Sequence, residues 1–125
     1  MNRRALLKTT TGAATSLALP GIVGRAFADD TIRIASLLDL SGGLDAAGKP
    51  MQDTITLAVE EINQAGGLLG KQISLITYDT QTDMRLYPQY AQQVALKDKV
   101  AVAFGGITSA SREVMRPVFH RLNTL

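Results

Sequence analysis

The sequence predicts an α/β fold with a parallel sheet and helices on both faces. Three observations predict it: short apolar, β-rich runs at residues 32–38, 73–78 and 100–104; a helically spaced apolar segment after each; and turn residues at the junctions. Strand, helix, strand, helix, strand, helix in that order implies right-handed crossovers, which set the strands parallel.

Ile32-Arg33-Ile34-Ala35-Ser36-Leu37-Leu38 shows almost no polar alternation, as expected for a strand buried on both faces. Asp39 to Gly48 is turn-rich, and Pro50 is expected where the first helix begins, a position that needs no N–H donor. From there Met51, Ile55, Ala58, Val59 and Ile62 mark one helical face, which Gly66-Gly67 ends. Ile73 to Tyr78 forms the second strand and closes on Asp79. Tyr87, Ala91 and Val94 mark a second helix with Pro88 in its first turn. Val100 to Phe104 is the third strand, and after Gly105-Gly106-Ile107-Thr108-Ser109 a third helix carries Val114, Met115, Val118 and Leu122. Pro117 inside that helix predicts a kink or a late start.

Charge is unevenly placed along the 125 residues. Arg3, Arg4, Lys8 and Arg25 fall in the first 28 residues, which hold no acidic residue; the remainder has nine basic and 11 acidic groups, a net charge of −2. The high isoelectric point therefore belongs to the N-terminus, and a basic nucleic-acid-binding domain is excluded. Without Cys there is no disulfide scaffold, thiolate metal site or cysteine nucleophile. No stretch approaches the roughly 18 apolar residues of a membrane-spanning helix.

Residues 1–28 read as a targeting segment. Paired Arg3-Arg4 precede a mildly apolar stretch, and Ala26-Phe27-Ala28 supplies a small-x-small cleavage pattern. The segment resembles a twin-arginine export signal, with Asn2 and Leu6 departing from its usual residues. Cleavage between Ala28 and Asp29 would leave the chain from Asp29 onward in the periplasm.

Several apparent motifs fail. Gly66-Gly67-Leu68-Leu69-Gly70-Lys71-Gln72 lacks the first Gly and the Ser/Thr of a phosphate loop and runs from helix to strand, the wrong direction. The loop through Gly48 lacks dinucleotide-binding glycine spacing. Asp79 to Asp83 lacks the central Gly and later Glu of a calcium loop, and Asp83 is expected to cap the second helix. His120 has no second His at metal-ligand spacing and sits near a helix C-terminus. No nucleophile elbow occurs. Neither a metal nor a cofactor is expected, and the chain reads as a non-enzyme.

Phe104 to Arg112 survives this sieve. It lies at the carboxyl end of a buried strand, where open α/β sheets bind ligands. Gly105 and Gly106 permit close approach, Thr108, Ser109 and Ser111 supply hydroxyls, and the helix start offers N–H groups for a ligand oxygen. The alternative is that Thr108 or Ser109 only caps its own helix.

Leu37-Leu38-Asp39-Leu40-Ser41-Gly42, the helix ending Glu61-Ile62-Asn63-Gln64-Ala65-Gly66-Gly67-Leu68-Leu69-Gly70, and Thr108-Ser109-Ala110-Ser111-Arg112 resemble the N-terminal lobe of type I periplasmic solute-binding proteins. The likeness covers residues 32–125 and is nearer the urea and short-chain-amide branch than the branched-chain amino-acid branch. It implies two α/β lobes that close on a small polar solute and deliver it to an ABC permease. Residues 29–125 would then be an incomplete N-terminal lobe, marginal in stability by itself. The resemblance places Ser109 on a ligand carboxylate or carbonyl oxygen, with Thr108, Ile107, Gly106 and the first-strand loop at Ser41 lining the cleft. Ile107 departs from the aromatic residue frequent there in the amide and urea branch. A ligand-sensing receptor or regulator of the same fold is the alternative function, which the export signal disfavours in its cytoplasmic form. An exported α/β enzyme is a third.

Overall fold

A computed structural model of the protein describes residues 31–125; the export and cleavage residues Arg3, Arg4, Ala28 and Asp29 lie outside the described residues. Strand β1 (Thr31–Leu38) leads to helix α1 (Asp45–Gln64), β2 (Gln72–Asp79), α2 (Leu86–Leu96), β3 (Val102–Gly105) and α3 (Ser109–Leu122). The sheet has the order β2-β1-β3 with both pairings parallel. In register, Leu37 of β1 stands between Tyr78 of β2 and Gly105 of β3, so all three strands end at one edge of the lobe.

Alternation along β1 divides its side chains between two helical layers. Ser36 faces α1, where its hydroxyl donates to Gln52, while Thr77 of β2 accepts from the Gln52 amide. Ala35 and Leu37 face the other way and pack with Tyr87, Ala91 and Val94 of α2 and Met115 and Val118 of α3 in the main core. The expected α/β class, parallel sheet and helices on both faces are all present.

Three local expectations are corrected. Helix α1 begins at Asp45, ahead of Pro50, because the N–H groups of Ala47 and Gly48 both donate to the Leu44 carbonyl at 3.0 Å and the Asp45 carboxylate pairs with Lys49 at 2.7 Å. Pro50 sits inside the helix, where it forfeits the N–H that would reach Ala46. Strand β3 starts at Val102, two residues later than its apolar run, since Lys99 takes a positive φ of 52° and Val100 bonds back to the Val94 carbonyl. Asp83 does not cap α2; Arg85 holds that position, and the Asp83 carboxylate accepts from the Arg85 backbone N–H at 2.9 Å in the preceding turn. Helix α3 does not start late and runs through Pro117.

The superfamily-like helix ending is explained by one side chain. The Asn63 amide donates to the Ile73 carbonyl at 2.9 Å and accepts from its N–H at 2.7 Å, which fixes the end of α1 to the start of β2. Among the described residues β3 is an edge strand of the sheet. A groove of about 510 Å³ lined by Ala103, Phe104, Met115 and Phe119 follows that edge. At its far end the Ala103 N–H donates to the Leu125 carbonyl at 2.7 Å.

Candidate functional site

The carboxyl ends of β1, β2 and β3 each feed a loop, and two aspartates hold these loops in place. Asp39, fully buried just past β1, accepts through one oxygen from the Tyr87 hydroxyl at 2.6 Å, the Thr80 hydroxyl at 2.8 Å and the Thr82 N–H at 2.7 Å. Its other oxygen, Oδ2, is buried with no hydrogen-bond partner among the described residues. Burial first, and then the Asp39 carboxylate against it, raise the Tyr87 phenol above its ordinary value.

Asp79 ends β2 on the outer side. Its Oδ1 accepts from the N–H groups of Leu40, Ser41 and Gln81 at 2.9, 3.1 and 2.9 Å, and its Oδ2 from the Ser41 hydroxyl at 2.6 Å. Partial burial pushes this carboxyl upward, but the Ser41 hydroxyl and the three N–H donors outweigh it and hold Asp79 below the ordinary carboxylate value. Helix α1 then approaches Asp39 closely: a Cβ on buried Gly48 would stand 1.9 Å from the Asp39 carbonyl oxygen.

At the end of β3 the chain turns through Gly106, whose φ is +73° and whose added Cβ would meet Arg112 Cγ at 2.4 Å. Thr108 is the N-cap of α3. Its hydroxyl oxygen accepts from the Ser111 N–H at 3.1 Å and the Ser111 hydroxyl accepts from the Thr108 N–H at 3.2 Å, a reciprocal capping box. Capping therefore falls to Thr108 and leaves Ser109 at the first helical position, exposed, with no side-chain hydrogen bond among the described residues. The first N–H groups of the helix, at Ser109 and Ala110, have no carbonyl a turn earlier to bond. The Ser109 hydroxyl and these N–H groups thus share the exposed start of α3.

The structure brings Gly106, Ile107, Thr108 and Ser109 into one turn, with Ile107 half-buried. Because β1 pairs directly with β3, the Ser41 loop lies beside that turn at the same end of the sheet. Ser41 spends its own proton on Asp79 and keeps only acceptor capacity. Asp39, Asp79 and Tyr87, which hold these loops, are not among the residues the sequence points to as site-forming. No metal-binding cluster of His, Cys, Asp or Glu occurs among the described residues.

Residues 32–125 match the family described as periplasmic binding protein domain. The chain belongs to that family. A curated relative, the leucine-, isoleucine-, valine-, threonine- and alanine-binding protein of Pseudomonas aeruginosa, is 28% identical over 104 residues, or 83% of this chain and 28% of the relative. Among solved structures, the branched-chain amino acid transporter substrate-binding protein LivJ of Streptococcus pneumoniae, in complex with isoleucine, superposes with a TM-score of 0.73. It is 30% identical over 75% of this chain and 27% of that one. The leucine-binding protein LivK of Thermotoga maritima gives a TM-score of 0.67 at 24% identity, covering 74% of this chain and 26% of that one, which speaks for the fold. The chain thus spans little more than a quarter of the length of these periplasmic binding proteins, and its fold is that of part of their N-terminal lobe.

Proposed function

We propose that the protein is the non-enzymatic, extracytoplasmic solute-binding subunit of an ABC importer, and that residues 31–125 form the first part of its N-terminal lobe. The observation that carries this reading is the uncommitted Ser109 hydroxyl beside the first N–H groups of α3, at the carboxyl end of a family-typical sheet. A carboxylate matches those donors better than a neutral oxygen, since charged acceptors form stronger bonds and favour a helix N-terminus.

An aliphatic amino acid is the ligand class we favour. Two features support it: the relatives are named for leucine, isoleucine and valine, and Ile107 offers an aliphatic wall and no aromatic plane for an amide to stack on. The donors of Ser109 and Ala110 would hold the carboxylate while Gly106 lets it approach the backbone. Closure of a second lobe would then expel water and strengthen those bonds. Export through the twin-arginine machinery, cleavage after Ala28, a periplasmic location and delivery to an ABC permease complete the proposal.

Calorimetric titration with leucine, isoleucine, valine, threonine and alanine, and with urea, acetamide and formamide, tests it. Binding of at least one of the amino acids and none of the amides is expected. Binding of urea or an amide alone overturns the ligand class, and no binding of any of them overturns the reading.

A further inference from the structure

Two hydroxyls border the candidate site, and they hold their protons in opposite senses. Ser109, at the first position of α3, has no side-chain hydrogen bond among the described residues and can donate. Ser41, exposed in the loop after β1, lies 2.6 Å from Asp79 Oδ2. Burial acts against the Asp79 charge, yet the Ser41 hydroxyl and the three N–H donors outweigh it and keep the carboxyl ionised at neutral pH. An ionised carboxylate has no proton to give, so the single proton of Ser41 points at Asp79. What remains exposed on Ser41 is its oxygen lone pairs.

Asp79 also fixes where those lone pairs stand. Its Oδ1 takes the N–H groups of Leu40, Ser41 and Gln81, so the backbone at Ser41 is held together with its hydroxyl. No ion pair neutralises Asp79 among the described residues; Lys49 feels its charge but is paired with Asp45 at 2.7 Å. The Ser41 end of the site therefore offers an acceptor and negative charge, whereas the α3 end offers donors and the positive end of a helix dipole. β2 and β3 flank β1, which sets them roughly 10 Å apart. Two hydrogen bonds of about 2.9 Å and the backbone of one α-amino acid can cross that gap, with the carboxylate at α3 and the ammonium at Ser41.

We infer that Asp79 is a specificity-determining residue of the site: by holding the proton of Ser41 it makes that hydroxyl an acceptor for the ammonium group of the ligand. Asp79 acts through Ser41 and is in this role a positioning residue. The inference rests on the amino-acid-binding reading above and adds what separates an amino acid from the 2-hydroxy acid of the same shape, which carries one neutral donor in place of a charged one.

The test titrates the full-length protein with each amino acid that binds wild type and with the 2-hydroxy acid of the same side chain, leucine with 2-hydroxy-4-methylpentanoate and alanine with lactate. A hydroxy acid too weak for direct calorimetry is read by displacement of the amino acid. Ser41→Ala removes the acceptor and should weaken the amino acid roughly 10- to 150-fold but the hydroxy acid only roughly 2- to 12-fold, because bonds from charged donors are the stronger. Asp79→Asn keeps an acceptor for the three backbone N–H groups but turns an amide donor toward Ser41, which sends the Ser41 proton outward. Amino-acid affinity should then fall at least as far as in Ser41→Ala, while the hydroxy acid, whose hydroxyl oxygen can accept that proton, should lose less. Asp79→Asn should also add little to Ser41→Ala, since the first acts through the second. Ser109→Ala is the control, and should weaken both ligands by the same factor because both carry the carboxylate. Should Asp79→Asn fail to fold, Ser41→Ala still decides, as a truncation of an exposed side chain. Unchanged amino-acid affinity in Ser41→Ala, or equal losses for the amino and hydroxy acids in either variant, overturns the inference and leaves the binding reading intact. Failure of wild type to bind any amino acid overturns both.

Discussion

Gly48 offers the sharpest check on how α1 is seated against the site. Sequence patterning places it in a loop; the structure buries it in the first turns of α1, against the Asp39 backbone. A methyl there would stand 1.9 Å from the Asp39 carbonyl oxygen and 2.6 Å from its carbon, whereas ordinary contact begins at 3.4 Å. Relief requires α1 or the β1 loop to withdraw by about 1.5 Å, and neither is free to do so in a packed interior. Overpacking of this severity costs about 3 kcal/mol, and the helix preference of Ala over Gly returns about 1 kcal/mol. Gly48→Ala should therefore lose about 2 kcal/mol, or roughly 8–16 °C in Tm for a unit of 60–100 residues. Gly43→Ala is the control, because a Cβ there meets nothing within 4 Å. Urea and thermal unfolding of both variants read the difference. Equal stability of Gly48→Ala and Gly43→Ala would refute the close approach and the α1 start it implies.

Three further outcomes follow from the site and the leader. Ser109→Ala should weaken amino-acid binding by about 1.5–3 kcal/mol, roughly 10- to 150-fold in Kd, with the apo melting temperature nearly unchanged because Thr108 carries the cap; unchanged affinity in calorimetry would remove Ser109 from the site. The folded-state value of Asp79 is depressed, so its stabilisation is complete above the unfolded carboxylate value of about 3.9 and is lost as pH falls through the folded value. Melting curves between pH 7 and pH 2 should accordingly fall more steeply below about pH 4 for wild type than for Asp79→Asn, and parallel curves would contradict the anchor. Replacing Arg3 and Arg4 together by Lys should leave uncleaved precursor in the cytoplasm, visible by fractionation, whereas unchanged export would point to the general secretory route.

The strands and helices were legible because each carries its period in its own residues. Ile34 to Leu38 reads as a doubly buried strand and Tyr87, Ala91 and Val94 as one helical stripe, and all of these are buried. The start of α1 is hidden in the sequence because Pro50 looks like a first-turn proline, while Asp45-Ala46-Ala47 ahead of it lies among glycines that suggest a loop. The division of labour at α3 had a readable signal, hydroxyl residues at Thr108 and Ser111 in capping-box spacing, which assigns the cap to Thr108 and frees Ser109. Asp39 and Tyr87 had none. They lie 48 residues apart and meet only because the chain crosses from β2 over β1 to β3, carrying α2 onto the face where Leu37 and Tyr87 pack.

On the proposed binding reading, those long-range bonds decide what kind of half-site the loops after β1, β2 and β3 present. Were the loops after β1, β2 and β3 independent, each would order only on binding, at a cost in conformational entropy that a small ligand has few contacts to offset. Asp39 and Asp79 remove that independence from opposite sides: the buried carboxylate ties the β1 loop to the β2 loop and α2, and the outer one ties the β1 loop to the end of β2 a second time. The third loop is only Gly106, Ile107 and Thr108, and its capping box holds it from the far end. On the proposed binding reading, the donors at Ser109 and Ala110 are therefore oriented before a ligand arrives, while the Ser109 hydroxyl has no side-chain hydrogen bond among the described residues. A rigid edge with a free hydroxyl suits a protein that must recognise a small solute by few contacts and then let it go, since orientation supplies selectivity without demanding a large contact area.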